Sequence, residues 1–196
     1  MKQQILVIHG GDAFATYDEY IAYLNARAID LHKNESWKRK LTERLGEGYD
    51  VILSSMPNSL NAKYLEWKIV FEKYLALCDD NLILLGHSLG GVFLAKYLSE
   101  EKIQKTVRAT LFIAAPYEED GGRKLAEFAI TSSLDGVAAQ GGKLFFYHSK
   151  DDPVVAFSEL AKFQHELPNA TYRIFEDRQH FNQEEFPEIV EDIKTL

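Results

Sequence analysis

The chain has 196 residues, 46% of them hydrophobic, and a formal net charge of −8. That length and composition suit one globular domain with a full core, spanning 1–196, and are short for two. The acidic balance, without any block of like charge, argues against a nucleic-acid partner and mildly against a strongly anionic substrate, because phosphate contacts need a basic face.

Read in order, the chain opens with a strand-like run, Gln4–Ile8, and no charged leader or cleavage signal precedes it. Helix-like runs follow at Tyr17–Arg27 and Ser36–Leu45, then a strand at Asp50–Ser54 and a helix at Asn61–Leu77. The only cysteine, Cys78, falls at the end of that helix and reads as a small buried hydrophobe. A strand at Leu82–Gly86 and a helix at Leu89–Leu98 come next. Their joint apolar stretch is interrupted by His87, Ser88 and Lys96, which makes it a poor membrane span. Then follow a strand at Ala109–Ala114, a helix at Glu119–Ile130, a strand at Lys143–His148, a helix at Ala156–Leu167, a strand at Thr171–Phe175 and a helix at Glu184–Leu196. The strands are short, near-continuous apolar runs, as expected when both faces of a sheet are covered. Their alternation with helices predicts an α/β fold with a mostly parallel sheet and right-handed crossovers. A cytoplasmic protein without a membrane association is expected. The connection from Ala115 to Gly142, broken by Pro116, Gly121, Gly122 and Gly136, could form one wall of a pocket.

The chemistry-bearing signal is Gly86-His87-Ser88-Leu89-Gly90, a sharp strand-to-helix turn with a serine at its apex. Glycines two before and two after the serine relieve the crowding of so tight a reversal. The amides of the following helix point at the same place. A serine hydroxyl needs a base to become a nucleophile, and the base needs an acid to fix its tautomer. In a doubly wound sheet such groups gather at the carboxyl ends of strands. Asp151-Asp152-Pro153 follows the fifth strand and His180 follows the sixth. Ser88, Asp152 and His180 therefore stand in the chain order of an α/β-hydrolase. Pro153 biases Asp152 toward extended backbone, which favours it over Asp151 as the acid. After the first strand, His9-Gly10-Gly11-Asp12 can bring the Gly11 amide toward a substrate oxygen, and with the Leu89 amide it could form an oxyanion hole. Asp12 is expected to point away or to cap the next helix. His9, His32, His87, His148 and His165 read as structural or exposed, and no metal-ligand spacing emerges. Phe14, Tyr17, Phe93 and Tyr117 lie near strand ends, and Phe14 and Tyr117 are the leading candidates to contact an acyl group.

These motifs resemble the α/β-hydrolase superfamily, and within it the small serine hydrolases of the YdeN and retinoblastoma-binding-protein-nine type. The likeness covers nearly the whole chain. It rests on the capless size, the first glycine-rich loop, the serine turn, Asp151-Asp152-Pro153 and His180-Phe181-Asn182. It implies a six-stranded, largely parallel sheet flanked by helices, and the aspartate before the proline as the acid. The expected activity is hydrolysis of small carboxylic esters through an acyl-enzyme, with no cofactor or metal. The alternatives are a protein-binding module on a hydrolase scaffold, or a thioesterase or acyltransferase using the same residues.

Overall fold

A computed structural model describes residues 2–29, 36–118 and 125–196. The strands are β1 (Gln3–Ile8), β2 (Tyr49–Leu53), β3 (Leu82–His87), β4 (Val107–Ile113), β5 (Lys143–Ser149) and β6 (Thr171–Phe175). They form one six-stranded sheet in the order β2-β1-β3-β4-β5-β6. Every pairing is parallel. The helices are α1 (Tyr17–Ala26), α2 (Trp37–Leu45), α3 (Tyr64–Leu77), α4 (Leu89–Glu100), α5 (Asp135–Gln140), α6 (Glu159–Glu166) and α7 (Pro187–Lys194). This is the α/β-hydrolase fold.

The apolar runs work as strands covered on both faces, and alternate residues feed two cores. Leu6 and Ile8 of β1 and Leu82 and Leu84 of β3 pack with Trp67 and Phe71 of α3, Val92 and Phe93 of α4 and Phe163 of α6. Ile5, Val7, Ile83 and Leu85 point the other way, onto Trp37 and Leu41 of α2 and Ile189 and Ile193 of α7. Helix α1 buries none of its residues, and a Thr16–Glu19 capping box fixes its start.

One predicted element departs from the expectation. Residues 119–124 of the helix anticipated at Glu119–Ile130 lie outside the described residues. The rest forms only a single 3-10 turn, Ala126–Phe128. Ala126 takes a positive φ of 47°, which a continuing helix cannot use. A short helix that the sequence reading did not anticipate, α5, follows. Its Gly136 lies so close to α4 that a Cβ would stand 2.4 Å from the Leu98 carbonyl oxygen. Its position comes from packing rather than from a strong local signal.

The order of the strands positions the site. Chain direction across the sheet reverses at β1, whose neighbours are β2 and β3. Ligand crevices in open parallel sheets form at such a point, beyond the carboxyl ends of the strands. The loop after β1 and the turn after β3 therefore face each other there.

Candidate active site

Ser88 occupies the turn between β3 and α4 with φ 57° and ψ −122°. A non-glycine residue is strained in that region and stays there only if its surroundings hold it. The Ser88 amide donates to the Ile113 carbonyl at 2.8 Å, and its carbonyl accepts from the Gly91 amide at 2.9 Å. A Cβ on Gly86 would stand 2.5 Å from the Gly90 carbonyl oxygen, and one on Gly90 2.4 Å from that of Ile8. The two glycines thus let the turn close on itself and on β1. The Ser88 side chain caps nothing, so its hydroxyl has no structural duty in α4. As the first residue of that helix, Leu89 has an amide without an intrahelical acceptor.

The loop after β1 is held by the loop after β2. The Asp12 amide donates to the Ser59 carbonyl at 2.8 Å, and the Ala62 amide to the Asp12 carbonyl at 2.8 Å. His9 accepts the Met56 amide at Nε2, 3.0 Å away, so its Nδ1–H donates to the Gly10 carbonyl at 2.7 Å. His9 is thereby a neutral imidazole fixing this loop. Asp12 caps no helix, since Thr16 has that position on α1. Its Oδ2 accepts instead from the Tyr23 hydroxyl at 2.9 Å, because α1 folds back over the loop.

His180 Nδ1 lies 2.9 Å from Asp152 Oδ2 and 3.1 Å from Oδ1. The carboxylate can only accept, so Nδ1 carries the proton and Nε2 keeps its lone pair. Asp152 Oδ1 also accepts from the amides of Val154 at 2.8 Å and Val155 at 3.0 Å. Its side chain is fully buried and that of His180 nearly so. Burial pushes the Asp152 carboxyl up, but the His180 contact and the Val155 and Val154 amides outweigh it, and the carboxyl sits below its ordinary value. Asp151 does different work. Its Oδ1 accepts from the Ser149 hydroxyl at 2.5 Å and from the Gln179 amide at 2.8 Å. It pins the start of the loop that carries His180.

That loop is strained and held from several directions. Gln179 and Phe181 have φ of 46° and 53°. The Trp37 indole N–H donates to the Phe181 carbonyl at 2.8 Å. His87 Nε2–H donates to the His180 carbonyl at 2.9 Å. Behind it, His148 Nε2–H donates to the Val155 carbonyl at 3.2 Å, and burial lowers the His148 pKa. Trp37, His87 and Asp151 therefore hold the His180 loop in place. Trp37→Phe is expected to lose about 1–3 kcal/mol of stability, because a buried carbonyl is left unsatisfied. It should also lower kcat by up to about 10²-fold as His180 drifts. Urea unfolding and ester turnover of the same preparation check both.

Gly10, Gly11, Asp12, Arg27, Lys38, His87, Ser88, Val154, His180 and Asn182 line one open pocket of about 440 Å³. Gly11, Ser88 and His180 are thus brought together, with Asp152 directly behind His180. The aromatic candidates are not among the residues lining it. Phe14 packs on the rings of Tyr20 and Tyr23, and Phe93 is in the core. Tyr17 is exposed on α1. Tyr117 turns its hydroxyl to Glu166 and its ring to Phe163. Their positions near strand ends did not specify which way the rings turn, and apolar packing took them elsewhere. His32 lies outside the described residues, and His165 is exposed on α6. Arg27, Lys38 and Val154 were not singled out from sequence, and Asn182 only as part of the His180-Phe181-Asn182 element. Arg27 and Lys38 belong to the segment between the first two strands, where no motif marks them.

The model of the serine hydrolase family matches residues 30–192. The chain belongs to that family. This serine hydrolase is 26% identical over 172 residues to the rat serine hydrolase RBBP9, covering 86% of this chain and 88% of the relative. It is 21% identical over 176 residues to YdeN of Bacillus subtilis (strain 168), covering 89% and 84%. The crystal structure of the B. subtilis ydeN gene product superposes with a TM-score of 0.76 at 19% identity, covering 99% of this chain and 98% of that one. Est1E from Butyrivibrio proteoclasticus, in its complex with ferulic acid, shares the fold with a TM-score of 0.63 at 17% identity, covering 98% and 87%. The chain is a hydrolase of the YdeN and RBBP9 type. Among the described residues no helix is long and apolar enough to cross a membrane.

Proposed function

We propose that this hydrolase cleaves small carboxylic esters through an acyl-enzyme formed on Ser88. The observation that carries the reading is the buried His180–Asp152 contact at the edge of the pocket onto which Ser88 opens. Ser88 Oγ attacks the carbonyl carbon while His180 Nε2 takes its proton. Asp152 holds the Nδ1–H tautomer and stabilises the imidazolium. The amides of Leu89 and Gly11 receive the oxyanion. Collapse of the tetrahedral intermediate expels the alcohol oxygen, which takes the proton from His180. Water then attacks the acyl-enzyme by the same route, leaving a carboxylic acid and free Ser88.

The pocket favours small acyl groups. It is open, and among the described residues lining it only Val154 has an aliphatic side chain, so a long chain would find little apolar surface to cover it. With p-nitrophenyl esters, a burst of about one nitrophenolate per protein molecule is expected before steady state. Specificity should fall from acetate to palmitate. Linear release with no burst in the pre-steady state with substrate in excess, or kcat/KM rising steadily to palmitate, would contradict the reading.

A further inference from the structure

We infer that Lys38 and Arg27 make the pocket selective for esters that carry a carboxylate close to the scissile bond; the inference rests on the esterase reading above. Lys38 is the second residue of α2, behind the Ser36 N-cap, and the first turn of that helix contains no acid. A helix N-terminus bears partial positive charge, so a cation there is locally unfavourable. Lys40, in the same turn, is compensated by Glu184 and Glu185. Lys38 is not. Among the described residues its ammonium has no carboxylate and no carbonyl within bonding reach. Its contact is the face of Trp37, 4.8 Å from the ring centroid. The side chain is half-buried, and desolvation pushes its pKa down to about 8.

Arg27, just past the end of α1, reaches the same pocket. Among the described residues it too has no carboxylate, and its guanidinium lies 6.0 Å from the centroid of the Tyr23 ring. Among the described residues Asp12 is the acid lining the pocket, and its Oδ2 accepts from the Tyr23 hydroxyl. Among the described residues two cations thus line the pocket with one carboxylate and Ser88, in a chain whose net charge is −8. The acidity of the whole chain suggests repulsion of anions, but the pocket has the opposite local sign. A half-buried ammonium without a counter-ion is costly, and a substrate carboxylate supplies one. With Asp12 opposite, a monoanion fits this balance better than a dianion.

The test compares matched esters. On the acyl side, mono-p-nitrophenyl adipate is set against its methyl ester. On the leaving-group side, 4-acetoxybenzoate is set against methyl 4-acetoxybenzoate. In at least one pair the wild type should prefer the anion in kcat/KM. Lys38→Met should reduce that preference about tenfold or more, chiefly through KM, and Lys38→Arg should restore most of it. A ratio, unlike a rate, does not move with a general loss of active protein. Wild-type ratios at or below one in both pairs, or a ratio unchanged in Lys38→Met, would overturn the inference. Calorimetric binding of monomethyl adipate to Ser88→Ala, with and without Lys38→Met, reads the carboxylate site without any turnover. A wild type that hydrolyses none of the esters defeats the esterase reading alone. Equal binding in the two calorimetric samples defeats the carboxylate site alone.

Discussion

Ser88→Ala is expected to lower kcat toward a short-chain ester by about 10⁵–10⁶-fold, the scale on which loss of a serine nucleophile removes acyl-enzyme chemistry. The fold should be untouched. The Ser88 side chain caps no helix, and its hydroxyl lies in the lining of an open pocket. Alanine keeps the Cβ and meets the same backbone strain at φ 57°. Unfolding free energies of the two proteins should therefore agree within about 0.5–1 kcal/mol. A variant that keeps a tenth of the wild-type turnover at equal stability would remove Ser88 from the mechanism.

Asp152→Asn should cost about 10⁴-fold in kcat, and Asp151→Asn far less. The difference follows from which oxygens are occupied. Asp152 Oδ1 accepts the Val154 and Val155 amides, so the asparagine oxygen stays there and its NH₂ group replaces Oδ2. That donor then faces His180 Nδ1, now 2.9 Å from a carboxylate oxygen. The imidazole must move its proton to Nε2, where it can no longer accept the serine proton. Asp151 Oδ1 accepts from Ser149 and Gln179, and an asparagine oxygen can do the same. A larger loss in Asp151→Asn than in Asp152→Asn would reverse the assignment.

The Asp152 contact also sets an acid limit. Its folded-state carboxyl sits below the ordinary value of 3.8. The folded state therefore binds this proton more weakly than the unfolded chain does. The stabilisation is present in full above about pH 4 and is lost as pH falls through the lower folded-state value. Asp152→Asn should flatten that part of the acid unfolding curve.

Much of this architecture was legible because its signals are local. The central strand β3 is a nearly continuous apolar run, the other strands have apolar stretches, and the sheet packs against two cores. The serine turn carries its glycines within five residues, and the acid and the histidine follow the last two strands. The rest depended on contacts between distant parts of the chain. Trp37 reaches the Phe181 carbonyl across 144 positions of sequence, and no periodicity in α2 marks it for that role. Lys38 and Arg27 line the pocket with Ser88, far from it in sequence. Tyr117 had a pocket-like position in sequence, but its hydroxyl found Glu166. Asp12 was expected to turn away or cap a helix, yet it lines the pocket, since Tyr23 returns over it. The motifs marked Ser88, Asp152 and His180, while Lys38 and Arg27, which line the same pocket as Ser88 and His180, belong to no motif.

The most direct test of the central claim is covalent labelling with a fluorophosphonate probe, followed by mapping of the modified peptide. The expected result is about one label per molecule on Ser88, none on Ser88→Ala, and much slower labelling of Asp152→Asn at equal concentrations of folded protein. Labelling that persists in Ser88→Ala, or maps to another residue, would contradict it.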